Sequence, residues 1–123
     1  MTSAGARSRN KGKRYELKVA NYLTAAGISA KRRVEQWRSG GDDLILDDHL
    51  AAWLSVECKD VAAISLGAWL DQSLTSAGPD RLALVIHHRR GNGDPAADFA
   101  TLRLDHLVEL IHNATAGLEA GQP

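Results

Sequence analysis

Residues 82 to 87, Leu-Ala-Leu-Val-Ile-His, are apolar on both of the faces that an extended chain presents. Such a run reads as a strand in the interior of a sheet that is covered on its two sides. The flanking periodicities supply the cover. From Lys11 to about Ala26, Val19, Ala20, Leu23 and Ala26 recur at the spacing of one helix face, and Gly27 ends the pattern. From Ile64 to about Ala77, Leu66, Trp69, Leu70, Ser73 and Ala77 carry a second amphipathic helix, which Gly78-Pro79 ends. Between the helices lie three short extended stretches: Ile28 to about Trp37, Asp43 to Asp47, and Ala52 to Lys59, with Gly40-Gly41 and Asp48-His49-Leu50 as breaks. After the buried strand come a Gly-rich loop from Arg89 to Pro95, an edge strand from Phe99 to Leu104, and a closing helix from Asp105 to His112 capped by Asp105. The expected order is αβββαββα, an α/β chain with a mixed central β-sheet flanked by helices. Residues 1–10 read as a flexible basic arm, 11–113 as a single domain, and 114–123 as a flexible tail.

Composition narrows the function. The net charge of zero conceals an asymmetry: residues 1–40 hold ten of the fifteen Lys and Arg and two of the fifteen acids, a balance of +8, which the rest of the chain cancels. A basic third on a neutral chain is a polyanion-binding face. Arg7, Arg9, Lys11, Lys13, Arg14, Arg32, Arg33 and Arg38 are the candidate contacts to nucleic-acid phosphates. The single Cys58 excludes an intrachain disulfide and fits a reducing cytoplasm. No apolar run reaches about eighteen residues, so no membrane partner is expected, and the basic N-terminus lacks the apolar segment of a signal peptide. No Cys–His spacing indicates zinc, and no glycine-rich phosphate loop followed by Lys-Ser or Lys-Thr is present.

The chemistry is carried by carboxylates. If the second and third strands pair as a hairpin about Asp48-His49, residues whose numbers sum to about 100 face one another. Asp43 and Glu57 meet that condition and have the same parity, so they share a face; Lys59, two residues on, shares it too. Mg²⁺ takes oxygen ligands, commonly one or two carboxylates with phosphate oxygens and water. Asp43 and Glu57, with the backbone carbonyl of Cys58, form a candidate ligand set, and Lys59 is placed to orient a water or to stabilise charge building on phosphorus. Glu16 falls inside the apolar stripe of its helix, where a carboxylate needs a cation. It is the third candidate ligand.

Taken together, Lys11-Gly12-Lys13-Arg14-Tyr15-Glu16-Leu17, Asp43-Leu44-Ile45 and Val56-Glu57-Cys58-Lys59 resemble the PD-(D/E)XK nuclease superfamily, and within it the archaeal-type Holliday junction resolvases. The resemblance covers residues 8 to 90 in element order, with short motifs. It implies a restriction-endonuclease-like core and a homodimer that uses Mg²⁺, or Mn²⁺ in its place, to nick opposing strands of branched DNA. It assigns Glu16, Asp43 and Glu57 to the metal and Lys59 to catalysis. It aligns Ser39 with a serine near the DNA backbone, and it gives Gln72 a supporting place on the second helix. Asp42 stands where that family usually has an apolar residue or glycine, and so is a competitor for the metal. The alternatives are another nuclease of this class acting on flaps, ends or duplex DNA, and a DNA-binding module without catalysis.

Overall fold

The computed structural model describes residues 4–34 and 42–120. The element order is α1 (Ala4–Ala25), β1 (Ala30–Arg32), β2 (Leu44–Leu46), α2 (Asp48–Ala51), β3 (Leu54–Lys59), α3 (Leu66–Ala77), β4 (Leu82–His87), a 3₁₀ turn (Pro95–Ala97), β5 (Phe99–Thr101) and α4 (Leu104–Ala120). The class is α/β. Helix α3 connects the parallel strands β3 and β4, whose register runs from Leu54 opposite Leu82 to Lys59 opposite His87, and β5 adds to β4 antiparallel. The run at 82–87 is therefore the middle strand of three, with Ala83 and Val85 almost wholly buried.

Successive residues of β3 serve two layers. Val56 and Cys58 join Tyr15, Val19 and Ala20 of α1, with Ala30, Leu44 and Leu46, in one apolar cluster. Ser55 and Glu57 face the other way, toward α3, whose buried residues are Trp69, Ser73 and Ala77. Trp69 meets His87 of β4 edge-on at 5.4 Å between ring centroids. Cys58 is thus the core residue that its parity predicts.

Four expectations are corrected. The single central sheet is divided: β1 and β2 form their own antiparallel pair, Ala30 opposite Leu46, and β3–β4–β5 form the other sheet. The turn at Asp48 is a short helix, in which the Asp47 carboxylate accepts from the Leu50 N–H at 3.1 Å. That helix re-aims the chain, so β2 and β3 do not continue as a hairpin ladder.

The first ten residues are not all a loose arm, because α1 starts at Ala4. Ala4, Ala6, Arg7, Arg9 and Lys11 are good helix formers, and lengthening an anchored helix avoids the cost of nucleation. By the same reasoning α4 begins at Leu104 and runs to Ala120 instead of stopping at His112, leaving Asp105 in its first turn rather than at the cap.

The end of α1 is set locally. Gly27 has φ 91°, its N–H donates to Thr24 at 3.0 Å, and the Ile28 N–H donates to Leu23 at 2.9 Å. This paired arrangement closes a helix around a left-handed residue. The Thr24 hydroxyl then donates to the Ala30 carbonyl at 3.2 Å, which seats β1 against the helix end.

Candidate active site

Asp43 is held by backbone on both sides. Its N–H donates to Val56 O at 3.1 Å, its carbonyl accepts from Arg33 N–H at 2.9 Å, and its Oδ2 accepts from Cys58 N–H at 2.8 Å. These contacts reach β3 at Val56 and Cys58, one residue either side of Glu57. Asp43 thus lies beside the segment of β3 that carries Glu57, although the hairpin ladder expected to pair the two is absent. Backbone groups alternate in direction along a strand. Lys59 O accepts from His88 N–H on the β4 side at 3.1 Å, whereas Val56 and Cys58 address Asp43. The Cys58 carbonyl therefore points to the Asp43 edge, as a ligand there requires.

The three acids share an electrostatic environment centred on Asp43. Burial raises the Glu16 pKa to about 7, and Asp43 adds to the rise, against opposing effects of Arg32 and Lys13. Burial also raises Asp43, offset by the Cys58 N–H and by Lys59 and Arg33. Glu57 is raised by burial and further by Asp43, with relief from a Ser76 hydrogen bond and Lys59. The Cys58 thiol beneath them is pushed up by burial and then by Asp43, Glu16 and Glu57. A positive charge placed among them would relieve this shared cost.

Two of the acids also have partners within the protein. Glu16 Oε1 lies 3.9 Å from Arg32 Nη1, and Glu57 turns to Ser76. Among the described residues, no three His, Cys, Asp or Glu side chains are gathered closely enough to hold one ion.

Lys59 is half-buried at the end of β3, with Nζ 3.4 Å from Gln72 Oε1 on α3. The lysine and the glutamine singled out in the sequence therefore do meet. Asp42 is accounted for differently from the expectation that it competes for metal. It is buried, accepts from the Ser55 hydroxyl at 2.7 Å, and takes a two-pronged contact from Arg81 at 2.7 and 3.1 Å. Arg81 also donates to the carbonyls of Ala77 and Ser76, each at 3.0 Å, and so closes the end of α3. The sequence reading missed Arg81; its signal was a charge placed directly before the apolar run at 82–87.

The basic candidates divide. Arg7, Arg9 and Arg14 are exposed on α1, and Lys11 and Lys13 are half-buried there. Arg32 and Arg33 act on the carboxylates instead: Arg32 pairs with Glu16, and Arg33 lies near Asp43 with its Nε buried and unpaired. Arg38 and Ser39 lie outside the described residues.

A pH dependence follows. The folded chain binds the Glu16 proton more tightly than the unfolded chain, whose carboxyl keeps its ordinary value of 4.5. The associated stability is complete below that value and is lost as pH rises through about 7. Melting in EDTA should show Tm falling from about pH 5 to about pH 8, and Glu16→Gln should flatten the fall. An identical slope in the variant would refute this assignment. Mg²⁺ should raise Tm more at the alkaline end, where the acids are ionised.

Comparison of the chain with family models, curated proteins and solved structures returned no match. No helix among the described residues is long and apolar enough to cross a membrane.

Proposed function

We propose that this chain is a Mg²⁺-dependent DNA endonuclease of the PD-(D/E)XK class, with a restriction-endonuclease-like core, and that its substrate is the four-way junction. The observation that carries the reading is Asp43 held against β3 by the Val56 carbonyl and the Cys58 N–H, one residue either side of Glu57, with Lys59 two residues further along the strand. Hard carboxylate oxygens and the Cys58 carbonyl suit Mg²⁺, with Mn²⁺ as a substitute. The bound ion would supply polarisation of the phosphoryl oxygens and a lower pKa for water. Asp43, fixed by three backbone contacts, sets the position of the scissile phosphate. Glu16 and Glu57 would balance the ion's charge from the two layers. Lys59, steadied by Gln72, donates to the oxygen on which negative charge builds.

The test is cleavage of a labelled four-way junction beside matched duplex and flap DNA, with Mg²⁺ and with EDTA. Paired symmetric nicks confined to the junction and lost in EDTA support the resolvase reading. Cutting of duplex or flap keeps the metal site and discards the junction. A second reading, a DNA-binding module without catalysis, is favoured by the Glu16–Arg32 contact, which gives that carboxylate a cation within the protein. Binding of DNA without any cutting would select it.

Two opposed nicks need two sites, and the described residues carry one candidate site, so the working form is a homodimer. Helix α4 supports a helix-to-helix interface. Leu104, Leu107, Ile111, Ala114 and Leu118 follow alternating three- and four-residue steps, the spacing of a coiled-coil seam. Leu104, Ile111 and Leu118 are more than half exposed. The mass in solution should be twice 13.3 kDa, and Ile111→Glu should reduce it to one chain. A monomeric wild type would refute the dimer.

A further inference from the structure

Between α1 and the turn after β4 lies a cleft of about 170 Å³, with Lys11, Arg14 and Lys18 along one wall and Asp60 and His88 on the other. It continues past Lys11 into a lobe of about 260 Å³ that Arg90 lines. Lys11, Arg14 and Lys18 fall on one helix face because they are three and four residues apart. Four permanent cations thus line the cleft against one lining carboxylate. That carboxylate, on Asp60, is already 3.7 Å from Lys11 Nζ.

The far wall is built from within. Asp98, with a side chain only 3% exposed, accepts the Tyr15 hydroxyl at 2.7 Å and the Arg89 N–H at 3.0 Å, and contacts His88 Nδ1 at 3.1 Å. Its oxygens are thus occupied by partners within the protein. Tyr15 also touches the His88 ring, at 5.7 Å between centroids, which fixes the imidazole between helix and turn.

The cleft adjoins the carboxylate site along both of its elements: Tyr15 precedes Glu16 on α1, and Asp60 follows Lys59 on β3. Because α1 extends to Ala4, exposed Arg7 joins the same stripe, which is about 16 Å long from Arg7 to Lys18. We propose that the cleft holds a backbone phosphate of the nucleic-acid strand, next to the phosphate that the carboxylates engage. This rests on the nuclease reading for its occupant, but not for the cleft's affinity for phosphate. Lys18 and Arg90, which the sequence reading did not assign to DNA, become phosphate contacts, and the Tyr15–Asp98 pair fixes His88 as a wall of the cleft.

The experiment is DNA binding by fluorescence anisotropy across a salt series, in EDTA so that no strand is cut. Wild type is compared with the triple variant Arg14→Ala/Lys18→Ala/Arg90→Ala, whose three side chains are all exposed, and with Arg103→Ala as a control charge outside the cleft. Removing one phosphate contact should weaken binding alike on all sequences and lower the slope of log K against log salt by about one. Arg103→Ala should leave the slope unchanged. In parallel, pyrophosphate is titrated into labelled protein while the amide signals of Arg14, His88 and Gly91 are followed by NMR. Movement of those signals, together with the lost slope, supports the proposal. An unaltered slope in the triple variant overturns the strand phosphate, whatever pyrophosphate does. Wild-type cleavage of DNA by that variant at unchanged affinity would overturn the cleft and keep the nuclease. Loss of slope in a protein that never cuts would keep the cleft and reject the nuclease.

Discussion

Lys59→Ala should lower Mg²⁺-dependent cleavage by about 10²–10³-fold, the usual cost of removing one donor to developing negative charge, while DNA affinity stays near that of the wild type. The geometry separates the two effects. Lys59 ends β3, shares the face of Glu57, and acts on both Asp43 and Glu57. It is only half-buried and its one side-chain hydrogen bond is to Gln72, so its loss leaves the core intact. Gln72→Ala should slow cleavage less, because it only steadies the ammonium. Single-turnover rates on a labelled junction, with binding measured in EDTA, make the comparison. Full activity in Lys59→Ala would remove the lysine from the mechanism and, with it, the strongest link to hydrolysis.

The second large effect is on stability. Arg81→Ala should destabilise the fold by about 3 kcal/mol, because it leaves the buried Asp42 carboxylate without its cation, and should lower Tm by roughly 10 °C. The loss extends beyond one ion pair: Arg81 also binds carbonyls at the end of α3, and Asp42 holds the Ser55 hydroxyl. A double variant, Arg81→Met/Asp42→Leu, should recover much of the stability, since an apolar pair of similar volume avoids the unpaired charge. Thermal melts of the two variants decide it; a loss below about 1 kcal/mol for Arg81→Ala would mean that the pair is solvated and weak. Because Asp42 precedes Asp43, Arg81→Ala should also weaken Mg²⁺ stabilisation, whereas Lys59→Ala should not.

These two predictions draw on different kinds of information. Lys59 was legible because strand parity is a local property: residues two apart share a face whatever the rest of the chain does. The same rule placed Cys58 in the core and Glu57 opposite it. The run at 82–87 was legible because its burial requirement is independent of neighbours. Arg81 was not, since nothing local connects it to Asp42, thirty-nine residues away. Likewise Asp98 reads as one acid in a polar loop; its engagement by Tyr15 and His88 exists only once α1 lies against the turn after β4.

Sequence alone determined the order of the elements apart from the short helix α2, the middle strand at 82–87, and the shared face of Glu57 and Lys59. These follow from backbone periodicity and from the cost of exposing apolar side chains. Tertiary structure decided the division of the sheet and the full lengths of α1 and α4. It also turned Arg32 and Arg33 toward the acids and bound Asp42 to Arg81. The physical reason is that a buried charge takes whichever opposite charge the fold brings within a few ångströms, and that distance is set by packing between residues far apart in the chain.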